Sequence, residues 1–193
     1  MDTPSAASDL YTREELTRLL GSVGESVSID RSVRLYGGKA ITLGSHVRID
    51  SHCVLVGGQG LSIGDHTHLA WGCVLTATGA PIVLEGFNGL SSGVKVFSAT
   101  DDYSEGHLTN PTVPDRFRKV ATGTVRFGKH ALVGANSVIM PGVHLGFGAS
   151  VGALSFVNKA VPEGAVVSGN PLRLIGRRDL ERLRALEAEL DHA

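Results

Sequence analysis

What most limits the folds open to this chain is a repeat of six. An aliphatic residue returns every sixth position over most of its length. From Val23 the units read VGESVS, IDRSVR and LYGGKA; from Leu43, LGSHVR, IDSHCV and LVGGQG; from Ile63, IGDHTH, LAWGCV and LTATGA. LEGFNG, LSSGVK and VFSATD follow from Leu84. After an interruption, FGKHAL, VGANSV and IMPGVH run from Phe127, and LGFGAS, VGALSF and VNKAVP from Leu145. The units group in threes, since the starts at 23, 43, 63 and 84 are 20, 20 and 21 residues apart.

Six is not a multiple of the helical 3.6, but it suits the period-two alternation of a strand. Each hexad is therefore expected to be a short strand plus a turn. The opener points inward, and so does the residue four places later: Val47, Cys53, Thr67, Cys73, Val94, Ala131, Ser137, Val143, Ala149 and Ser155. The glycine or aspartate after the opener is expected to take a positive φ at the corner, which costs glycine nothing and Asp little. Three hexads close a triangular coil, and coils stack at a strand spacing of roughly 4.7–4.9 Å into a parallel β-helix.

Twenty-five glycines and few aromatics fit turns at short intervals, while 42% hydrophobic content excludes a disordered chain. A net charge of −1 gives no reason to expect a nucleic acid or a membrane surface as partner. No apolar run reaches the roughly 18 residues of a membrane span. MDTPSAASDLYTREEL has no basic region leading into an apolar core, so a cytoplasmic location is expected. Two cysteines, Cys53 and Cys73, make no disulfide framework; they occupy equivalent inward places one coil apart and read as stacked core residues.

The ends read as caps. TREEL, from Thr12 to Leu16, is a capping box with Glu15 three residues after the threonine. RRDLERLRALEAELDHA has helical spacing at Leu180, Leu183, Leu186 and Leu190. SGNPLRLIG before it reads as turn chemistry. The expected organisation is an N-terminal helical cap (1–22), a β-helix (23–175) carrying an inserted loop (101–124), and a C-terminal helix (176–193).

The tail VGANSVIMPGVHLGFGASVGALSFVNKAVPEGAVVSGNPLRLIGRR resembles the ending of the hexapeptide-repeat acyltransferases. The stretch from IGDHTHLAWGCVL through FSATDDYSEGHLTNPTVPDRFRKVATGTVRFGKHALVGANSVI is more specifically similar to acyltransferases of 4-amino-4,6-dideoxyglucose nucleotides. That resemblance, covering roughly Leu43 to Arg178, implies an all-β, left-handed parallel β-helix with short terminal helices. It also implies a homotrimer, with acetyl-CoA as co-substrate in the cleft between neighbouring subunits. Ala135, Ala153, Asn158 and Lys159 would line the pantetheine arm, and Arg173 and Arg177 would lie near its phosphates. For Lys159 and the arginines, ordinary solubility is the competing explanation.

The interruption, FSATDDYSEGHLTNPTV and beyond, leaves the fourth coil at Asp101 and rejoins near Val125. Long excursions from a compact domain are functional or disordered. This one carries Tyr103, His107, Arg116, Phe117, Arg118 and Lys119, which suits an arm closing a site; the resemblance implies that it helps to form the sugar pocket, its basic residues facing a sugar-nucleotide diphosphate. The galactoside-type relatives have a histidine base at its mouth, where this chain has Asp101 and Asp102. A carboxylate orients an amine and receives its proton, so the pair favours N-acetyl transfer, against the alternative that both cap a turn.

Among the histidines, His46, His52, His66 and His130 fall at fourth places and read as surface; His192 lies in the tail. His68 matches a histidine of the resembling aminosugar enzymes. His144 ends its third hexad as Asp101 does, so the two are expected to stack as a carboxylate–imidazole pair. The expected activity is acetyl-CoA-dependent N-acetylation of a dTDP-linked amino-dideoxy sugar by direct attack on the thioester. The alternative is an O-acetyltransferase of sugars or small molecules. A metal-dependent hydratase needs three converging histidines, whose spacing is missing, so no metal is expected. A non-catalytic scaffold would not need the coenzyme-like tail.

Overall fold

The computed structural model describes residues 9–190. The first eight residues of the expected cap, the last three of the expected C-terminal segment and His192 lie outside them. The chain winds through three parallel sheets in strict rotation. Face one holds Ser22–Val23, Ile41–Leu43, Leu61–Ile63, Ile82–Leu84, Val125–Phe127 and His144–Leu145. Face two holds Ser28–Ile29, Arg48–Ile49, His68–Leu69, Gly89–Leu90, Leu132–Val133, Ser150–Val151 and Ala165–Ser168. Face three holds Arg34–Tyr36, Val54–Val56, Val74–Thr76, Lys95–Phe97, Val138–Ile139 and Phe156–Val157.

Equivalent residues stack in register: Leu43, Ile63, Leu84, Phe127 and Leu145 form one column. All five are buried, as is every expected second inward residue. The one inward amide, Asn88, is satisfied where it stands. Its Oδ1 accepts from the Gly86 N–H at 3.0 Å, and its Nδ2 donates to Gly128 O at 2.9 Å and Ala131 O at 3.3 Å. Leaving those groups unpaired in the core would cost on the order of 1–3 kcal/mol each.

The corners differ from expectation in one instructive way. Positive φ sits at the fourth place of the hexad, not the second: His46, His52, His66, Phe87, His130 and Leu154 all adopt it. The second-place glycines answer a different constraint, close approach of the next coil. A Cβ on Gly64 would lie 2.6 Å from the Glu85 carbonyl carbon, and one on Gly128 2.7 Å from the Phe147 nitrogen.

The left-handed corner costs about 1–2 kcal/mol for a residue with a Cβ. Between faces one and two, stacking offsets part of it. The rings of His46, His66, Phe87 and His130 follow one another at 4.7 Å between centroids, and Phe147 meets His130 edge-on at 5.2 Å. Such pairs add about 0.5–1.5 kcal/mol each. His130 is therefore not the surface residue its place in the hexad implies; its side chain is largely covered.

At the N-terminal end, a short helix α1 (Arg13–Leu19) opens on the expected capping box and buries Leu16 against the first coil. The C-terminal end departs from expectation twice. LRLIG is not turn: Arg173–Arg177 runs antiparallel to Ala165–Ser168 on face two. The second helix, α2 (Leu180–Leu190), lies along the corner between faces one and two instead of covering the open end. Glu187 anchors it through Lys129 Nζ at 2.6 Å and His130 Nε2 at 2.8 Å. Arg178 donates to His130 O at 2.8 Å, and Arg184 pairs with Glu163. Lys129, and then His130, hold the Glu187 carboxyl below its ordinary range.

The two corner constraints are separable by mutation. Gly64→Ala should lower stability by at least about 1–3 kcal/mol, the range for overpacking. His52→Gly, at an exposed corner with φ 62°, should leave stability within about 1 kcal/mol of the parent. Thermal unfolding checks both; equal loss in the two variants would refute this division of roles.

Candidate active site

The interruption begins earlier than Asp101. The chain leaves the coil after Ser98, whose Oγ accepts from the Gly79 and Ala80 N–H groups while its carbonyl accepts from Gly123 N–H. Ala99–Asp101 and Val120–Thr122 then pair antiparallel and form the stem of the loop. This stem carries Asp101 away from face one, and the expected Asp101–His144 pair does not form. His144 instead stands on face one beside Arg126, in a hollow shared with Glu85 and Glu163.

Asp101 and Asp102 have different jobs. Asp101 lines a cavity of about 500 Å³ with Thr78, Gly79, Ala99, Thr100, Pro111, Arg118 and Val120. Arg118 Nη2 donates to its Oδ1 at 2.8 Å, and Asn110 N–H donates to its Oδ2 at 2.8 Å. Arg118 first, and Asn110 second, hold this carboxyl below the usual carboxylate range. Asp102 is the turn cap: its Oδ1 takes the Ser104 hydroxyl at 2.7 Å and N–H at 2.9 Å. Ser104, with Lys119 at 3.2 Å, holds Asp102 far below the usual range.

Two of the loop cations expected to meet a diphosphate are thus already paired. Arg118 is tied to Asp101 and Asp115, and Lys119 to Asp102 and Glu105. Glu105, then Asp102, raise the Lys119 pKa. Arg118 Nε is buried without a hydrogen-bond partner among the described residues. Asp102, Glu105 and His107 approach one another closely, but Lys119 already serves both carboxylates.

His68 projects from face two next to the corner between faces two and three, and its Nε2 lies 2.8 Å from Asp50 Oδ2. Arg48 Nε donates to the other oxygen of Asp50 at 2.7 Å. Partial burial opposes ionisation of Asp50, but the hydrogen bonds from His68 and Arg48 outweigh it and lower the pKa. Sequence reading passed over Asp50. Its signal was available, because Asp50 stands two places past the residue directly below His68 in register, Arg48.

The expected coenzyme residues fall into two groups. Ala135 and Ala153 stack at the two–three corner, linked by Leu154 N–H to Ala135 O at 2.8 Å. Lys159, Arg173 and Arg177 line a cavity of about 190 Å³ at the C-terminal end, with Leu172 and Leu174 among its walls. Asn158 is exposed beside Lys159. The cysteines are buried; Cys53 Sγ donates to Ala70 O and Cys73 Sγ to Ser91 O, each at 3.2 Å. Close contact with Cys53, together with burial, pushes the Cys73 thiol up, the opposite of a nucleophile's need.

The family model described as the hexapeptide repeat of succinyl-transferase matches residues 124–159. The chain is 35% identical to the dTDP-4-amino-4,6-dideoxy-D-glucose acyltransferase of Escherichia coli over 167 residues, 86% of each protein. It is similar to a variant of AntD, an N-acyltransferase from Bacillus cereus, solved with dTDP-4-amino-4,6-dideoxyglucose and Coenzyme A. There the TM-score is 0.91 and identity 33%, covering 96% of this chain and 98% of that one. AntD with dTDP and 3-hydroxybutyryl-CoA matches with a TM-score of 0.90 and 33% identity, over 95% and 97% of the two chains.

The loop stem has a defined pH window. The lowered pKa values of Asp101 and Asp102 stabilise it fully above the ordinary Asp value of about 3.9, and that contribution disappears as pH falls through the native values. Lys119, raised, contributes fully below about 10.4 and is lost as pH rises through its native value. Hydrogen-exchange protection factors for residues 99–101 and 120–122 should be flat between those limits and fall at pH 2–3. Undiminished protection at pH 2 would contradict the assigned pairs.

Proposed function

The chain belongs to the hexapeptide-repeat acyltransferase family of the E. coli dTDP-4-amino-4,6-dideoxy-D-glucose acyltransferase, and from that membership we propose that it acetylates the amino group of a dTDP-linked amino-dideoxy sugar, with acetyl-CoA as donor. The observation that carries the reading is Asp101. It is a fixed, ionised carboxylate on the stem of the insertion and on the wall of a cavity, and no imidazole among the described residues is hydrogen-bonded to it. Each of its oxygens already accepts one hydrogen bond and keeps a second lone pair, and its lowered pKa makes it a weak base, so it can orient an amine without taking its proton.

In this mechanism the neutral amine attacks the thioester carbonyl. The C–N bond forms, the C–S bond breaks, and the proton lost by nitrogen ends on the departing CoA thiolate. Asp101 positions the amine and steadies the charge that develops on it as it attacks. Lys159, Arg173 and Arg177 supply cations for the phosphates of CoA, and the stacked corner at Ala135 and Ala153 offers small side chains and backbone groups to its arm.

The distribution of these groups supports a site shared between chains. Asp101 leaves from the corner between faces three and one, while His68, Ala135 and Ala153 stand at or beside the corner between faces two and three. One face of the triangle separates them. A homotrimer with its cleft between neighbouring chains brings the two corners of different chains together.

One observation favours the second reading, O-acetyl transfer. His68 against Asp50 has the form of an oriented base, which a hydroxyl acceptor requires. Thiol release from acetyl-CoA distinguishes the two. Release with a dTDP-linked 4-amino-4,6-dideoxy sugar, and none with its 4-hydroxy counterpart, is expected. Asp101→Asn should lower kcat/KM by about 10- to 100-fold, the worth of one hydrogen bond to a charged group. Release with the hydroxyl sugar alone, abolished by His68→Ala, would overturn the N-acetyl reading.

A further inference from the structure

Face three differs from the other two in what it shows to the outside. Its outward residues stack in two columns: Arg34, Val54, Val74, Lys95, Val138 and Phe156 in one, and Tyr36, Val56, Thr76 and Phe97 in the other. Most are Val or Phe, and no strand of this face carries a carboxylate. On faces one and two the outward places are mostly polar, among them Thr42, Ser62, Arg126, Arg48 and His68. An apolar stripe that runs the length of the solenoid marks a surface that is covered in use.

Position identifies the cover. The shared cleft proposed above joins the corner between faces three and one of one chain to the corner between faces two and three of the next. Face three lies between those two corners, so closing the ring turns it toward the three-fold axis in every chain, against two further copies. Lys95 is the exception in the stripe. It stands mid-column, between Val74 on one neighbouring coil and Val138 on the other. Its strand, Lys95–Phe97, is three residues long, so Lys95 is one residue, roughly 3.3 Å, from the midline of its face. Three copies therefore bring three ammonium groups within side-chain reach of the axis. Lys95 Nζ donates to Gly93 O at 3.1 Å, which leaves two of its N–H groups over. The carboxylates at the adjoining corner are committed elsewhere, Asp101 to Arg118 and Asp102 to Lys119. Like charges gathered away from water without a counter-charge are unfavourable, so the ring of ammonium groups calls for an anion.

We propose that the three Lys95 ammonium groups of the assembled trimer hold one inorganic oxyanion, phosphate or sulfate, on the three-fold axis. A tetrahedral oxyanion shares that symmetry: one oxygen lies on the axis, and each of the other three accepts from one Lys95. The Val74 and Val138 rings flank it along the axis, a setting that admits a small ion and excludes a nucleotide or CoA. Arg34, the column's other cation, needs no such ion, because it stands in the first coil at the exposed end. The inference rests on the shared-cleft reading above, and it adds an ion that holds the chains together at the coil from which Asp101 departs.

Equilibrium dialysis against radiolabelled inorganic phosphate, with dTDP and CoA both saturating so that their own phosphate sites are filled, tests the assignment. The parent should retain one phosphate per three chains, displaced by sulfate and not by chloride at equal ionic strength. Lys95→Met should retain none while native mass spectrometry still finds three chains, and Lys95→Arg should retain the ion. In phosphate-free buffer Lys95→Met should melt above the parent, since three unbalanced charges are gone. Phosphate should then raise the Tm of the parent by about 2 °C, the shift for one ion at a hundred times its Kd spread over three chains, and leave Lys95→Met unchanged. Equal retention in Lys95→Met, three ions per three chains, or a Lys95→Met chain that no longer assembles would each overturn the assignment. If the parent is a trimer that acetylates the aminosugar nucleotide yet retains no phosphate, the ion site is wrong and the function stands. If the parent is a single chain in solution, the ion site falls with the shared cleft. If it is a trimer that acetylates no aminosugar nucleotide, the function reading fails and dialysis alone decides for or against the ion.

Discussion

The frame on which every candidate site residue is mounted is held by backbone hydrogen bonds between one coil and the next. Outside the insertion each full coil repeats the one below it after 18 to 21 residues, so a side chain's place in its hexad fixes which face or corner it occupies and what lies above and below it. The repeat leaves almost no slack: at second places such as Gly64 and Gly128 the next coil passes where a Cβ would stand. Register is enforced by contact as well as by hydrogen bonds. That stiffness allows the half-buried Asp50 and the exposed His68, 18 residues apart in sequence, to meet at 2.8 Å.

A uniform solenoid has no concave site of its own, and chemistry enters where uniformity fails. The largest failure is the insertion, whose antiparallel stem lifts Asp101 out of the coil and ties it to Arg118. The second is the terminal hairpin, where the chain stops coiling and gathers Lys159, Arg173 and Arg177 around one hollow. Each breaks a rule that the neighbouring coils obey, as functional positions in otherwise consistent sequences commonly do.

Much of this was legible from the sequence because period six admits few alternatives. The inward columns, the capping box at Thr12, the stacked cysteines and the cationic trio at the C-terminal end follow from place in the hexad or from the family's ending. What was not legible depends on geometry that leaves no periodic trace. Positive φ moved from the second place to the fourth because the second-place glycines answer crowding, a requirement that looks the same in sequence. The Asp101–His144 pair was inferred by continuing the coil through residues that had already left it at Ser98. His130 counts as surface by position, yet stacked rings and Glu187 from a helix 50 residues later cover it. Asp102 and Asp101 are adjacent and identical, and only the turn at Ser104 separates a structural carboxylate from one that faces the cavity.

The central proposal is that transfer needs Asp101 from one corner and the CoA-lining corner at Ala135 and Ala153 from another, contributed by different chains. Complementation tests it most directly. Asp101→Asn and Ala153→Trp chains, each weak alone, would be unfolded together, refolded as a mixture and assayed for acetyl transfer to the aminosugar nucleotide. The account predicts that the mixture recovers activity well above either parent, because some mixed assemblies hold a cleft with both native corners. Activity no greater than the average of the two variants, in a mixture shown by mass to contain mixed oligomers, would contradict it and put the whole site within a single chain.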